Sequence, residues 1–123
     1  MLEDETALTN AHDHIRATTV NGTDVFSPDG EHIGHIDDIV LSKRKGNAIY
    51  AVLSFGGFLG LGERYHPLPW ASLHYDDKLA GYVVNVSRDQ LQAAPSYQRG
   101  VDPDWNDPEF DKRIAGYYGF PYL

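Results

Sequence analysis

The stretch Val25-Phe26-Ser27-Pro28-Asp29-Gly30-Glu31-His32-Ile33-Gly34-His35-Ile36-Asp37-Asp38-Ile39-Val40-Leu41 decides the fold class. It sets two β-type apolar runs on either side of a turn. Ser27-Pro28-Asp29-Gly30 has Ser at i, Pro at i+1 and Gly at i+3, which suits a type I turn because the proline ring presets φ. Residues 33–41 are rich in Ile and Val, yet their alternation is imperfect. Ile33, Ile39 and Leu41 share one parity, whereas Ile36 and Val40 take the other. One extra residue near Asp37 and Asp38 reconciles the two sets, so a β-bulge is expected there.

Working outward, Lys43-Arg44-Lys45-Gly46-Asn47 forms the next turn, and residues 48–54 form a strand. Ile49, Ala51 and Leu53 lie on one face and Tyr50 and Val52 on the other, so both faces are at least partly covered. Residues 64–70 carry Pro67 and Pro69 two apart, which fits an edge strand whose proline side faces away from the ladder. Residues 82–86 are the last strand. Ser87-Arg88-Asp89-Gln90 then has the form of a capping box opening a short helix that Pro95 ends. Upstream, β-type residues 18–21 and 25–26 flank Gly22. The pattern over residues 15–95 is that of a small all-β domain.

Residues 96–123 change character and hold seven of the chain's aromatic residues, among them Trp105, Phe110, Tyr117 and Tyr118. Asp107-Pro108-Glu109 reads as N-cap, first helical position and first-turn acid, after which Phe110, Ile114, Tyr117 and Tyr118 share a helical face. Glu109 and Arg113 are spaced as an i,i+4 ion pair, and Gly116 or Gly119 can end the helix. One such helix is too short to stand alone, so its face must pack on the β-domain or on another subunit. Asp102-x-Asp104-x-Asn106 opens like a calcium loop, but Asp107 and Arg113 stand where Gly and Glu are needed.

The whole chain has 123 residues, no Cys and a net charge of -8. Length argues for one domain, and the missing cysteines exclude disulfides, thiolate zinc sites and thiol nucleophiles. Residues 1–14 carry four acids and no base, residues 15–95 nine acids against seven bases, and residues 96–123 five against three. Residues 1–14 therefore read as an acidic solvated arm, and the β-domain is nearly balanced. A strongly acidic chain is a poor ligand for nucleic acid or an anionic membrane surface. With no secretion signal and no apolar run long enough to span a bilayer, the chain is expected to be soluble and cytoplasmic.

Residues 25–39 of the stretch quoted above, together with Tyr50-Ala51-Val52-Leu53-Ser54-Phe55-Gly56-Gly57 and Tyr65-His66-Pro67-Leu68-Pro69-Trp70, resemble the PRC-barrel family over residues 15–95. That family includes the cytoplasmic domain of the photosynthetic reaction centre H subunit and the C-terminal domain of a ribosome maturation factor. The last two segments look most like its stand-alone bacterial branch. The resemblance implies a mainly β fold: a small, strongly bent, SH3-like β-barrel used as a protein-contact module, with no catalytic constellation to carry over. The aromatic-rich helical tail is additional to it.

Phe55-Gly56-Gly57-Phe58-Leu59-Gly60-Leu61-Gly62 lacks the Lys and spacing of a phosphate loop. It reads either as a barrel-closing loop packed on its own core or as a partner contact. Glu63 and His66 are the candidate metal or proton-relay residues, with His74 further on; the loose spacing and intervening prolines favour a structural role for His66. His32, His35, Asp37 and Asp38 form a second polar cluster in which His35 and Asp37 face one side while adjacent Asp37 and Asp38 point apart, so neither completes an acid pair. His12 and His14 offer only an adventitious metal contact. Lys43, Arg44 and Lys45 are the one basic run and read as a solvated hairpin tip.

The expected function is a non-enzymatic protein-contact or assembly module without a cofactor, self-associating as a dimer or higher oligomer and binding a protein partner. Seven aromatics in the tail exceed what so small a barrel is expected to cover. The expected contact residues are Phe55, Phe58, Leu59, Leu61, Trp105, Phe110, Ile114, Tyr117 and Tyr118. The alternative, suggested by the H-subunit kinship, is an accessory binding or proton- and electron-transfer site built on His66, Glu63 and the Asp37 and Asp38 cluster; a His66 pKa more than a unit from its reference would favour it.

Overall fold

Two insertions in one strand explain how this sheet bends. The structure, a computed structural model, describes residues 13–56 and 62–120. Strand β1 (Asp24–Phe26) pairs with β2 (His32–Leu41), which pairs in turn with β3 (Ala48–Phe55). Along the first interface the register passes from Val25↔Gly34 to Phe26↔His32, leaving Ile33 as the extra residue. Along the second it passes from Ile36↔Leu53 to Asp38↔Val52, leaving Asp37 extra, so the bulge lies where the apolar parity changes. Each insertion shifts the face by one residue. Ile33, Ile36 and Ile39, three apart in sequence, therefore all reach the same core and coil β2 over it. A third shift makes Ile49 extra in β3 and leaves Leu41 and Ile49 at the surface, 55% and 41% exposed.

The turn at Ser27 closes through Gly30 N–H to the Ser27 carbonyl at 2.9 Å. Gly34 allows β2 and β3 to approach, since a Cβ there would lie 2.2 Å from the Ser54 carbonyl oxygen. Beyond β3 come β4 (Arg64–Pro69), a 3-10 turn (Trp70–Ser72), β5 (Leu73–Asp76) and β6 (Gly81–Val84). The six strands form one sheet in the order β4-β3-β2-β1-β6-β5, antiparallel except for the parallel β1 and β6 pair. This curled, barrel-like sheet encloses Val20, Val25, Ile33, Ile36, Ala51, Leu53, Phe55, Leu68, Leu73, Tyr82, Val84 and Leu91, with Trp70 and Tyr118 packed against them. β4 is an edge strand, as the spacing of Pro67 and Pro69 requires.

Three local readings are corrected. Residues 18–21 are not a β-run: α1 (Ala17–Val20) is a single helical turn whose Val20 enters the core. β5 has no clean apolar alternation, only buried Leu73 ahead of exposed His74 and Tyr75, and is formed by pairing with β6, which ends two residues earlier than the sequence pattern indicates. Arg113 does not pair with Glu109; Lys112 does, at 3.4 Å, while the Arg113 guanidinium lies 5.6 Å from the Phe110 ring centroid.

Helix α2 (Arg88–Ala93) has the full capping box, with Gln90 N–H donating to the Ser87 hydroxyl at 3.1 Å and Ser87 N–H to the Gln90 side chain at 2.7 Å. α3 (Pro108–Tyr118) is capped by Asp107, has Pro108 in its first turn and ends at Gly119 in the left-handed conformation at φ 76°. Its face packs against β4 of its own chain.

Candidate functional site

β3 and β4 bury both faces, and the second face is closed by the tail. Register pairs Tyr50 with Pro69, Val52 with Pro67 and Ser54 with Tyr65, all on the side opposite Leu53 and Leu68. Tyr50, Val52 and Tyr65 are buried although they lie outside the barrel core. Tyr97 adds a bridge to the free edge of β4, exchanging hydrogen bonds with Tyr65 at 2.9 and 3.0 Å. From there rings run Tyr65, Tyr97, Trp105, Phe110 with centroids 5.7, 5.7 and 5.8 Å apart, and Tyr50 lies 6.2 Å from Trp105. The Tyr50 hydroxyl donates to the Asp111 carboxylate, and Ile114 has no exposed surface at all. The tail's aromatic side chains thus find much of their cover on their own barrel, because β3 and β4 together offer them a second apolar face.

Glu63 and His66 do not converge. The Glu63 carboxylate accepts from the Ser54 hydroxyl and, at 3.4 Å, from the Tyr65 hydroxyl, both on the tail side. His66 pairs with Leu53 and points to the core side, edge-on to the Phe55 ring at 5.5 Å. Burial, reinforced by the Arg64 charge, pulls its pKa down to about 4, while a hydrogen bond with the Pro95 backbone opposes the shift. The ring is therefore neutral near pH 7, and its Nδ1 is buried without a hydrogen-bond partner among the described residues. The shift exceeds a unit, but its cause is desolvation and its direction takes the ring away from proton exchange at neutral pH.

Asp37, displaced outward by the bulge, lies 3.9 Å from Arg99, whose guanidinium sits 4.8 Å above the Tyr65 ring. Burial pushes the Tyr97 phenol up to about 12, helped by Asp102, Asp37 and Asp38; Tyr65 is raised by burial and then by Glu63. Both phenols stay protonated at neutral pH, and the Tyr65 hydroxyl donates to Glu63. His32 contacts Asp24 at 2.9 Å on the exposed surface. Among the described residues no three His, Asp or Glu side chains come together as a metal site.

The expected contact residues divide. Phe55 is buried in the core and Ile114 beneath α3, so neither can touch a partner in this fold. Trp105, Phe110 and Tyr118 are half-buried in the chain's own contacts, and exposed Tyr117 donates its hydroxyl to the Gln90 carbonyl. Phe58, Leu59 and Leu61 lie outside the described residues, as does His12. Sequence reasoning missed the exposed apolar side chains Ile15, Tyr75 and Leu79, as well as Leu41 and Ile49, which flank the basic tip, and Val101, which is 64% exposed. The register shift that exposes Leu41 and Ile49 has no sequence signature. Val101 was legible only as an isolated apolar residue ahead of Asp102 and Asp104.

The half-barrel sheet, coiled by bulges in its second strand and flanked by a short capped helix, defines a small bent β-barrel class. The PRC-barrel domain matches residues 12–91, and the chain belongs to the PRC-barrel family. The matched span ends within α2, so Tyr97, Trp105 and α3 lie beyond it. No curated protein matches the chain. No helix among the described residues is long and apolar enough to cross a membrane.

Proposed function

We propose that this chain is a non-enzymatic contact and assembly module of the PRC-barrel type that self-associates and presents a surface to a protein partner in the cytoplasm. The observation that carries the reading is the exposure of Leu41, Ile49 and Val101 beside charged residues, on a fold whose own barrel buries Ile114 and half-buries Trp105 and Phe110. Uncovered apolar side chains ringed by charge suit a polar-rimmed protein interface. Cofactor-free function and the absence of catalysis belong to the same proposal. Sedimentation velocity of the full chain over a concentration series tests it: mass should rise with concentration, and a fixed monomer mass would sink it. The tail-deleted chain is a poor test, because removal strips cover from Tyr50, Val52 and Tyr65.

One observation favours the second reading, an accessory proton- or electron-transfer site: the buried, unpartnered Nδ1 of His66. Metal analysis of the purified protein and NMR titration of His66 separate the two. Stoichiometric metal supports the accessory site, whereas a metal-free protein whose His66 stays neutral through pH 5 supports the contact module.

A further inference from the structure

We infer that the β2–β3 hairpin end of one copy seats on the Val101 loop of a second copy, joining Leu41, Ile49, Lys43, Arg44 and Lys45 to Val101, Asp102 and Asp104. This rests on the self-association proposed above and names the surfaces that make it. Val101 and Leu41 are the two most exposed large apolar residues among those described. Each stands beside a run of one charge, and the two runs have opposite sign. Lys43, Arg44 and Lys45 are all exposed, and none makes an ion pair among the described residues, whereas Arg88, Arg99 and Lys112 are each paired within the chain. Asp102 and Asp104 are exposed on the other surface, and Asp104 spends one carboxylate oxygen on Asn106 N–H at 3.0 Å.

A chain of net charge -8 disfavours a phosphate-rich occupant for the basic tip, so the complementary surface is a carboxylate-bearing protein face. This chain supplies one, with an apolar residue at its border to match Leu41 and Ile49. The loop is held next to the strands that carry the tip by the residues that flank it: Arg99 before it lies 3.9 Å from Asp37 of β2, and Asp111 of α3 after it accepts from Tyr50 of β3. A two-fold pairing can therefore engage tip and loop twice, once in each direction, and close without leaving a free end. Charged rims of this kind govern association rate, salt dependence and register, while the apolar centre excludes water.

The test uses the full chain in three forms: wild type, a tip variant carrying Lys43→Glu, Arg44→Glu and Lys45→Glu, and a loop variant carrying Asp102→Lys and Asp104→Lys. Sedimentation velocity should show wild type self-associating, with weakening as salt rises past the point where the Debye length falls below about 8 Å. Each variant alone should associate at least about tenfold more weakly, and their equimolar mixture should recover the wild-type mass because tip and loop charges are then complementary again. Leu41→Ser and Val101→Ser should weaken association without altering charge, and near-ultraviolet circular dichroism checks that every variant is folded. Folded variants that associate as wild type does, or a mixture that stays monomeric, would overturn the tip-to-loop pairing while leaving self-association in place. A wild type that is monomeric throughout removes both.

Discussion

Replacing His66 with Gln should remove a defined part of the protein's acid sensitivity. His66 is buried, and its pKa falls from 6.5 to about 4 in the folded chain, so between those values the unfolded chain binds a proton that the folded chain refuses. The His66 contribution to stability must then fall as pH falls: it is present in full above about pH 6.5, declines through the window and is lost below about pH 4. From about pH 7.5 to about pH 5 the difference in proton binding amounts to roughly 2 kcal/mol. Gln keeps an N–H for the Pro95 carbonyl and cannot titrate. Urea unfolding followed by tryptophan fluorescence reads both ends of the molecule, Trp70 beside the core and Trp105 in the tail. Wild type should lose about 2 kcal/mol more than His66→Gln over that pH interval. Equal losses in the two proteins would refute the argument that a neutral imidazole is locked in by burial.

Further substitutions probe the bulged sheet, the tail and the cap. Gly34→Ala drives a Cβ into the Ser54 carbonyl, a backbone atom that cannot step aside, and should cost about 2 kcal/mol or more in urea unfolding. Ile114→Ala leaves a cavity beneath α3 and should cost about 2–4 kcal/mol, with amide exchange rising first across residues 97–118 while the barrel stays protected. Ser87→Ala breaks one arm of the capping box on α2 and should lower stability by about 1 kcal/mol, readable as a drop in Tm.

Much of the barrel was legible because its signals are local. A proline at i+1, a Ser and Gln three apart, and Asp-Pro at a helix start act within one turn of chain, and each stands where expected. The bulge was legible for a different reason: Ile33, Ile36 and Ile39 cannot all be buried on an unbroken strand. β5 and α1 were not legible. Four residues such as Leu73-His74-Tyr75-Asp76 carry no pattern strong enough to choose a conformation, and pairing with β6 chooses it for them. The candidate sites divide. Glu63 and His66 are three residues apart, an odd interval that extended chain sends to opposite faces, but that one meets the hydroxyls of Ser54 and Tyr65 and the other is buried beside Phe55 depends on which strands pair.

By itself the sequence determined a bulged, mainly β domain with a capped amphipathic helix behind it, because turn chemistry, capping and apolar parity are properties of neighbouring residues; the bent barrel was implied by the resemblance of its motifs to the PRC-barrel family. Only the tertiary structure decided that the tail folds back over β3 and β4, that Ile114 is hidden while Leu41 and Val101 are exposed, and that the acidic loop is held next to the strands that carry the basic tip. Those outcomes depend on which surfaces meet across tens of residues, and composition and periodicity carry no information about such meetings.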